Sequence, residues 1–131
     1  MKRGVVIGRI LSGMVTAALV GSATGKILGM SKMVDGLVGA GIPRDLIVPI
    51  AILELSCLAL FLIPRTAVLG AFLLTGYFGG AVLTHIIGGE NIAPPLVIGL
   101  MIWGGAYFRV PELQELLPLT KPTPQAQTVR A

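Results

Sequence analysis

The chain has 131 residues, of which 54% are hydrophobic and 12% are charged. Soluble domains carry about 25% charged residues, so a water-soluble globule is excluded, and the same apolar content excludes a disordered chain. The formal net charge is +4, but the basic residues stand at the ends of apolar runs and not in one stripe, so no nucleic-acid partner is expected. The composition predicts a small integral membrane protein whose main partner is the lipid bilayer.

Four apolar runs are long enough for transmembrane helices, which need about 20 residues each. They are residues 5–25, 46–63, 67–87 and 92–108. Backbone groups in lipid must bond internally, and these runs lack the alternation of barrel strands. The sequence therefore predicts an all-α fold, an integral membrane four-helix bundle over residues 1–110. Residues 111–131 are predicted to be a polar cytoplasmic tail with a disordered end.

The distribution of basic residues predicts the orientation. With the N-terminus inside, the inner side holds seven of the Lys and Arg residues: Lys2, Arg3, Arg9, Arg65, Arg109, Lys121 and Arg130. The outer side holds Lys26, Lys32 and Arg44. Cytoplasmic segments carry the excess of Lys and Arg, so both termini are expected to be cytoplasmic. The long connection at 26–45 then faces outward, and its amphipathic stretch at 30–38 predicts a short helix on the membrane surface.

A signal peptide is the alternative for the first run. Lys2 and Arg3 precede an apolar core, and the small residues at 21–23 resemble a cleavage site. The glycine spacing of the run favours a retained helix that packs closely against a neighbour.

Glu54 interrupts the second run near its middle, about 12 Å from either end by helix rise. A carboxylate at that depth costs about 3 kcal/mol on insertion scales, so Glu54 is expected to face the bundle interior and to have a partner. Two interpretations stay open. Glu54 is either a catalytic carboxylate, which relays protons or anchors a ligand, or a neutral, hydrogen-bonded group that holds the helices together.

His85, near the end of the third run, is the second candidate catalytic residue and the chain's one histidine. Helical spacing places Tyr77, Ala81, Thr84 and His85 on one face. Tyr77 and Thr84 are therefore candidate cofactor-binding residues. His85 suits a haem ligand, a hydrogen-bond donor to a quinone or a proton carrier. The plainer interpretation is an interfacial histidine bonded to Glu90 or a loop carbonyl. One histidine is insufficient for a metal site, so none is predicted.

Lys26 ends the first run on the same outer side and is a third candidate for cofactor binding. We expect it near the mouth of a cavity that Glu54 and His85 line. The depths of Glu54 and His85 differ by about 9 Å, so a water or a ligand is expected between them. Gly76, Gly79 and Gly80 on the third run are small enough to let another helix or a flat ligand approach.

The other polar residues are expected to be structural. Arg9 is four residues inside the first run and can extend its guanidinium to the inner interface. Trp103, Tyr107 and Arg109 have the pattern of ordinary interfacial anchors. Cys57 is the one cysteine, which excludes an internal disulfide or a redox pair, and it is expected to be buried and inert.

Several motifs together point to a family. The stretch ILELSCLALFLIPRTAVLGAFLLTGYFGGAVLTH at 52–85 contains Glu54 in the second run, a Pro-Arg-Thr turn at 64–66 and GGAVLTH at 79–85. With GSATGKI at 21–27 and WGGAYFRVPELQELLP at 103–118, it resembles the DoxX-like family of small four-helix membrane proteins. Lys26 matches that family's lysine at the end of the first helix. The resemblance implies a four-helix bundle in a bacterial cytoplasmic membrane, and it weakens the signal-peptide alternative.

The resemblance implies less about activity. Relatives that bear the DoxX name are linked, as subunits, to quinone-dependent sulfur oxidation and to oxidative-stress complexes. The chain lacks the cysteine pair that a thiol relay needs. Whether the protein is an enzyme stays open.

Three hypotheses follow. In the first, the protein is a subunit or small enzyme that handles an apolar redox molecule such as a quinone, with Glu54 and His85 at the polar end of its pocket. In the second, it is a structural or chaperone-like subunit whose glycine faces and tail bind a membrane protein or a second copy. In the third, it binds haem through His85.

Overall fold

The computed structural model describes residues 2–118, and every regular element in that range is helical. The helices are α1 (Lys2–Leu28), α2 (Ser31–Gly39), α3 (Ile47–Leu62), α4 (Ala67–Gly88), α5 (Ala93–Arg109) and α6 (Pro111–Leu116). Short 3-10 turns at Arg44–Leu46 and Pro64–Thr66 lead into α3 and α4. The predicted all-α class is confirmed.

The four apolar runs correspond to α1, α3, α4 and α5. Three helical segments in the described range are long and apolar enough to cross a membrane, namely Arg3–Leu28, Arg44–Leu62 and Pro64–Gly88. Helix α5 has 17 residues. At helix rise it is about 25 Å long, somewhat less than the hydrocarbon thickness of about 30 Å. The three long spans make this a membrane protein, while the fourth span and the orientation stay predictions.

The outward surface of these helices is apolar, as lipid contact requires. Leu100 is 74% exposed and Phe72 is 63% exposed, and exposed Leu and Ile side chains occur along all four long helices. Exposed apolar surface of this extent is atypical of a soluble monomer. It is the surface that a bilayer covers.

Local sequence explains where the helices begin and end. Gly29 and Gly89, both with φ of 69°, follow α1 and α4 in the left-handed conformation that ends many helices. Pro64 stands at the first position of the 3-10 turn before α4, where a missing N–H costs nothing. The amide N–H of Ala93 donates to Oδ1 of Asn91 at 2.9 Å, which satisfies one free donor at the start of α5.

The bundle is closely packed at one end. Helices α1 and α4 each pack against both α3 and α5, which places α1 and α4 across from each other. A Cβ added to Gly70 would overlap the backbone of Phe61, and one added to Gly105 would lie 2.7 Å from Oγ of Ser12. Such approaches need glycine. We call this half of the bundle, which contains Gly70, Gly105 and Arg109, the closed end.

The polar tail was expected to begin after residue 110, but its first part packs on the bundle. Leu113 of α6 is buried and belongs to the hydrophobic core, because α6 folds back against α5. Nε2 of Gln114 donates to the carbonyl of Tyr107 at 3.0 Å, which holds α6 in place. The predicted disordered end lies outside the described residues.

The opposite end of the bundle is covered by α2. The stretch at 30–38 was expected to form a short helix, and α2 occupies Ser31–Gly39 with Val34 buried. It packs against α1 and α4, and the side chain of Met33 lies 3.0 Å from a Cβ added to Gly25. A cavity lies beneath α2.

Candidate functional site

Lys26 and Glu54 form an ion pair inside the bundle. Nζ of Lys26 lies 2.7 Å from Oε2 of Glu54, and the side chains are 6% and 1% exposed. They are the two charged side chains classed as buried in the described part of the chain. A buried charge is stable in a bundle only when it is paired, so the partner that Glu54 was expected to need is Lys26.

Two hydroxyl groups complete the coordination of Lys26. Its Nζ donates to Oγ of Ser22 at 2.6 Å and to the hydroxyl of Tyr77 at 3.0 Å. With Glu54, these partners take all three ammonium hydrogens. Oγ of Ser22 is also within 3.5 Å of Oε2 of Glu54. We call these four residues the polar cluster.

The position of Lys26 differs from the prediction. The sequence placed Lys26 near the mouth of the cavity, because it ends the apolar run of the first span. Helix α1 continues to Leu28, and Lys26 turns inward to meet Glu54 on α3. The reason is that an unpaired carboxylate in the bundle costs more than drawing the flexible lysine side chain inward.

The polar cluster lies in the wall of a cavity of about 660 Å³. This volume is within the range of small-molecule sites, about 300–1,000 Å³. All five predicted site residues line it: Lys26, Glu54, Tyr77, Thr84 and His85. The other lining residues are mostly apolar and come from all four long helices and α2. The structure therefore brings together residues that are up to 59 positions apart in the chain, from Lys26 to His85.

His85 lies toward the α2 end of the cavity. Its Nδ1 is 2.8 Å from the carbonyl of Ala81, so in the neutral ring Nδ1 donates and Nε2 is left to accept. Nε2 is 3.7 Å from Oε2 of Glu90, beyond a hydrogen bond. Glu90 is thus near His85 without a hydrogen bond to it, and the half-buried ring also lines the cavity. No direct bond joins His85 to Glu54 among the described contacts, as the depth difference predicted.

Thr84 has its hydroxyl proton already engaged. Oγ1 donates to the carbonyl of Gly80 at 2.9 Å, one turn earlier on α4. This back-bond satisfies a polar group that would otherwise be unpaired in an apolar environment. Thr84 can therefore offer a ligand only the lone pairs of its oxygen.

Sequence reasoning missed two contributions to the site. Ser22 lies among the small residues that resemble a cleavage site, but it also stands four residues before Lys26 and so shares its helix face. Met30 and Met33 line the cavity from the α2 side. Nothing in the sequence showed that the segment after α1 folds back over the bundle.

Arg109, Trp103 and Tyr107, which the sequence predicts to be interfacial anchors, also pack against other helices. The Arg109 guanidinium donates to Oγ of Ser12 at 2.8 Å and to the carbonyl of Phe61 at 2.6 Å, so it joins α5 to α1 and α3. Nε1 of Trp103 donates to Oγ1 of Thr75 on α4 at 2.7 Å. Tyr107 is buried in the core. Arg109 and Trp103 connect helices because the tight crossings place polar groups of neighbouring helices within reach.

Arg109→Lys should lower the stability of the protein. A lysine has no planar fork and cannot hold both the Ser12 and Phe61 acceptors in this geometry, so one buried acceptor loses its donor. That loss costs about 1–3 kcal/mol. Thermal unfolding of the purified protein in detergent measures it. Arg65→Lys at an exposed position is the control, and equal melting temperatures for the two variants would show that Arg109 does not hold the helices together.

The described residues contain no group of three or more His, Cys, Asp or Glu side chains placed to hold a metal ion. Cys57 is a buried free thiol one turn from Glu54 and does not line the cavity. The chemistry that the site offers is therefore that of an ammonium–carboxylate pair, a phenol and an imidazole around an apolar space.

Comparisons with curated proteins and with solved structures found no match to this chain. The sequence model of the DoxX-like family matches residues 10–105. The matched segment runs from the first turns of α1 to the last part of α5 and includes every residue of the polar cluster. It covers well over half of the chain, so the protein belongs to the DoxX-like family.

Proposed function

We propose that the protein binds an apolar redox molecule such as a quinone, as a subunit or small enzyme of the bacterial cytoplasmic membrane. It crosses the membrane four times, with both termini in the cytoplasm. The observation that carries the proposal is an apolar cavity of about 660 Å³ with an ionised pair and a phenol in its wall. A small number of polar groups that converge on an apolar space is typical of a small-molecule site.

The fourth span in this proposal is α5. It packs along α1 and α4 within the bundle, although its length is about 25 Å. A span slightly shorter than the bilayer is tolerated by local thinning of the lipid.

A quinone suits the cavity because its ring is flat and its two carbonyl oxygens are hydrogen-bond acceptors. Gly76 and Gly80 line the wall without side chains and leave room for the ring. The hydroxyl of Tyr77 accepts from Lys26, so its own proton can be donated to a bound carbonyl oxygen. Glu54 and Lys26 orient Tyr77 and supply a charged pair that can exchange a proton with it. His85 lies toward the other end of the same space.

Removing the phenol should weaken quinone binding. Tyr77→Phe keeps the ring and leaves the Lys26–Glu54 pair intact, so we expect a loss of about tenfold in affinity for a short-tailed benzoquinone. Glu54→Gln should also weaken binding, because it removes the charge that orients Tyr77 and Lys26. Equilibrium binding to the purified protein in detergent gives both values.

Tyr107→Phe is the matched control, since Tyr107 lies at the closed end and does not line the cavity. Unchanged affinity in both Tyr77→Phe and Glu54→Gln would refute the proposal.

The second candidate function is a structural or chaperone-like subunit. One observation favours it: the three hydrogens of the Lys26 ammonium are all bonded within the protein. The polar cluster can therefore hold α1, α3 and α4 together without any ligand. In that case the purified protein binds no quinone and arrives with a partner polypeptide. A bulky residue at Gly80 would break this assembly, whereas Glu54→Gln would preserve it.

Haem binding through His85 is the third candidate. The bond from Nδ1 to Ala81 is the kind that orients an axial histidine, with Nε2 left for iron. A visible spectrum of the purified protein decides this case, because bound haem gives a Soret band.

A further inference from the structure

One row of residues along α4 is exposed over its whole length. Its members follow each other at intervals of three or four residues and so share a face: Leu69, Leu73, Gly76, Gly80, Leu83 and Ile87. The four with large side chains are among the exposed hydrophobic residues of a helix that can span the membrane. This row therefore faces lipid.

The two glycines interrupt the row where the cavity lies. Gly76 and Gly80 both line the cavity, and a Cβ added to either would have no atom within 4 Å. The lipid-facing surface of α4 and the cavity wall thus coincide at these two positions. Leu53 shows the same combination on α3, since it is 54% exposed and also lines the cavity.

At its two ends other parts of the chain cover the cavity, although Met30 and Glu90, which line it near α2, are also exposed. At the closed end, the contact of Gly70 with the Phe61 backbone leaves no space between α3 and α4. At the other end, α2 lies over the cavity, and Oε1 of Glu90 is 3.2 Å from a Cβ added to Gly36. Between these two ends, Leu53, Gly76 and Gly80 are each exposed and line the cavity.

We propose that the cavity opens sideways into the bilayer through a gap beside Leu53, Gly76 and Gly80, which we call the lateral window. Its ligand is then a lipid-soluble molecule with a compact polar head and one long apolar tail. The head lies beside Tyr77, and the tail passes through the lateral window into the hydrocarbon. This inference rests on the proposed function, because it assumes that the cavity binds a small molecule, and it adds the class of that molecule and its route.

The physical reason is the environment of the tail. A ligand that enters from water would bring its apolar tail through an aqueous phase and past α2, whereas a ligand already dissolved in lipid keeps its tail there throughout. Only the head must leave the bilayer, and the polar cluster offers it hydrogen bonds.

The test compares two quinones on the protein in phosphatidylcholine nanodiscs. One is a tailless benzoquinone, and the other carries a long saturated tail with a photoreactive diazirine halfway along it. The diazirine should label α3 and α4 beside the lateral window, at Leu53, Leu73 or Leu83. Gly80→Leu and Gly76→Leu should lower the affinity for the long-tailed quinone by about tenfold, because each leucine side chain fills the lateral window.

Gly79→Leu is the matched control. Gly79 is exposed and has no atom within 4 Å of an added Cβ, but it does not line the cavity, so affinity should stay within about twofold. Labelling of Met30, just before α2, or of Met33 on α2 would overturn the lateral window while quinone binding stands. Equal affinities in Gly79→Leu, Gly80→Leu and Gly76→Leu would do the same. A wild-type protein that binds neither quinone would overturn the proposed function together with this inference.

Discussion

Lys26→Met should lower the free energy of unfolding by about 3–5 kcal/mol, because it leaves the Glu54 carboxylate buried without a counter-charge. The same reasoning applies in reverse to Glu54→Met, which strands the ammonium of Lys26. Both side chains are almost fully buried, so neither charge can regain hydration without opening the bundle. The double variant Lys26→Met/Glu54→Met places two apolar side chains in contact and should recover most of the loss.

Thermal unfolding of the four proteins in the same detergent gives the coupling between the two residues as a double-mutant cycle. Additive losses would contradict the pairing described here. The double variant also separates stability from function. If the double variant is as stable as the wild type but no longer binds quinone, the polar cluster belongs to a binding site. If neither protein binds quinone and both still assemble with a partner, the cluster only holds the helices together.

Gly70→Ala should destabilise the closed end, and Gly79→Ala should not. An alanine Cβ at Gly70 would overlap the backbone of Phe61, which has no flexible end that could move aside. Helices α3 and α4 would have to separate, at a cost of about 1–3 kcal/mol or more. At Gly79 nothing lies within 4 Å, and alanine is the better helix former by about 1 kcal/mol, so the melting temperature should rise slightly.

These two variants differ by nine positions on the same helix and add the same methyl group. Opposite signs of the change in melting temperature are therefore a direct readout of the α3–α4 crossing. A similar small change in both would mean that α3 and α4 are not in contact at Gly70.

Particular residues show how far sequence reasoning reaches. The face shared by Tyr77, Thr84 and His85 was predictable, because helical periodicity is local and all of its members line the cavity. The need of Glu54 for a partner was predictable from the cost of a charge in lipid. That the partner is Lys26 was not, because the choice depends on how α1 is rotated and shifted against α3. The contacts of Arg109 were not predictable for the same reason, since its acceptors Ser12 and Phe61 are on two other helices.

Composition and apolar run lengths were sufficient for the helical membrane class, because the hydrophobic effect and backbone hydrogen bonding act on each segment separately. Motifs in the chain were sufficient for the resemblance to the DoxX-like family. The cavity and the Lys26–Glu54 pair required the packed structure. Both depend on how each helix is rotated about its axis and on how far it lies from its neighbours. Contacts between residues far apart in the chain decide this rotation and this spacing.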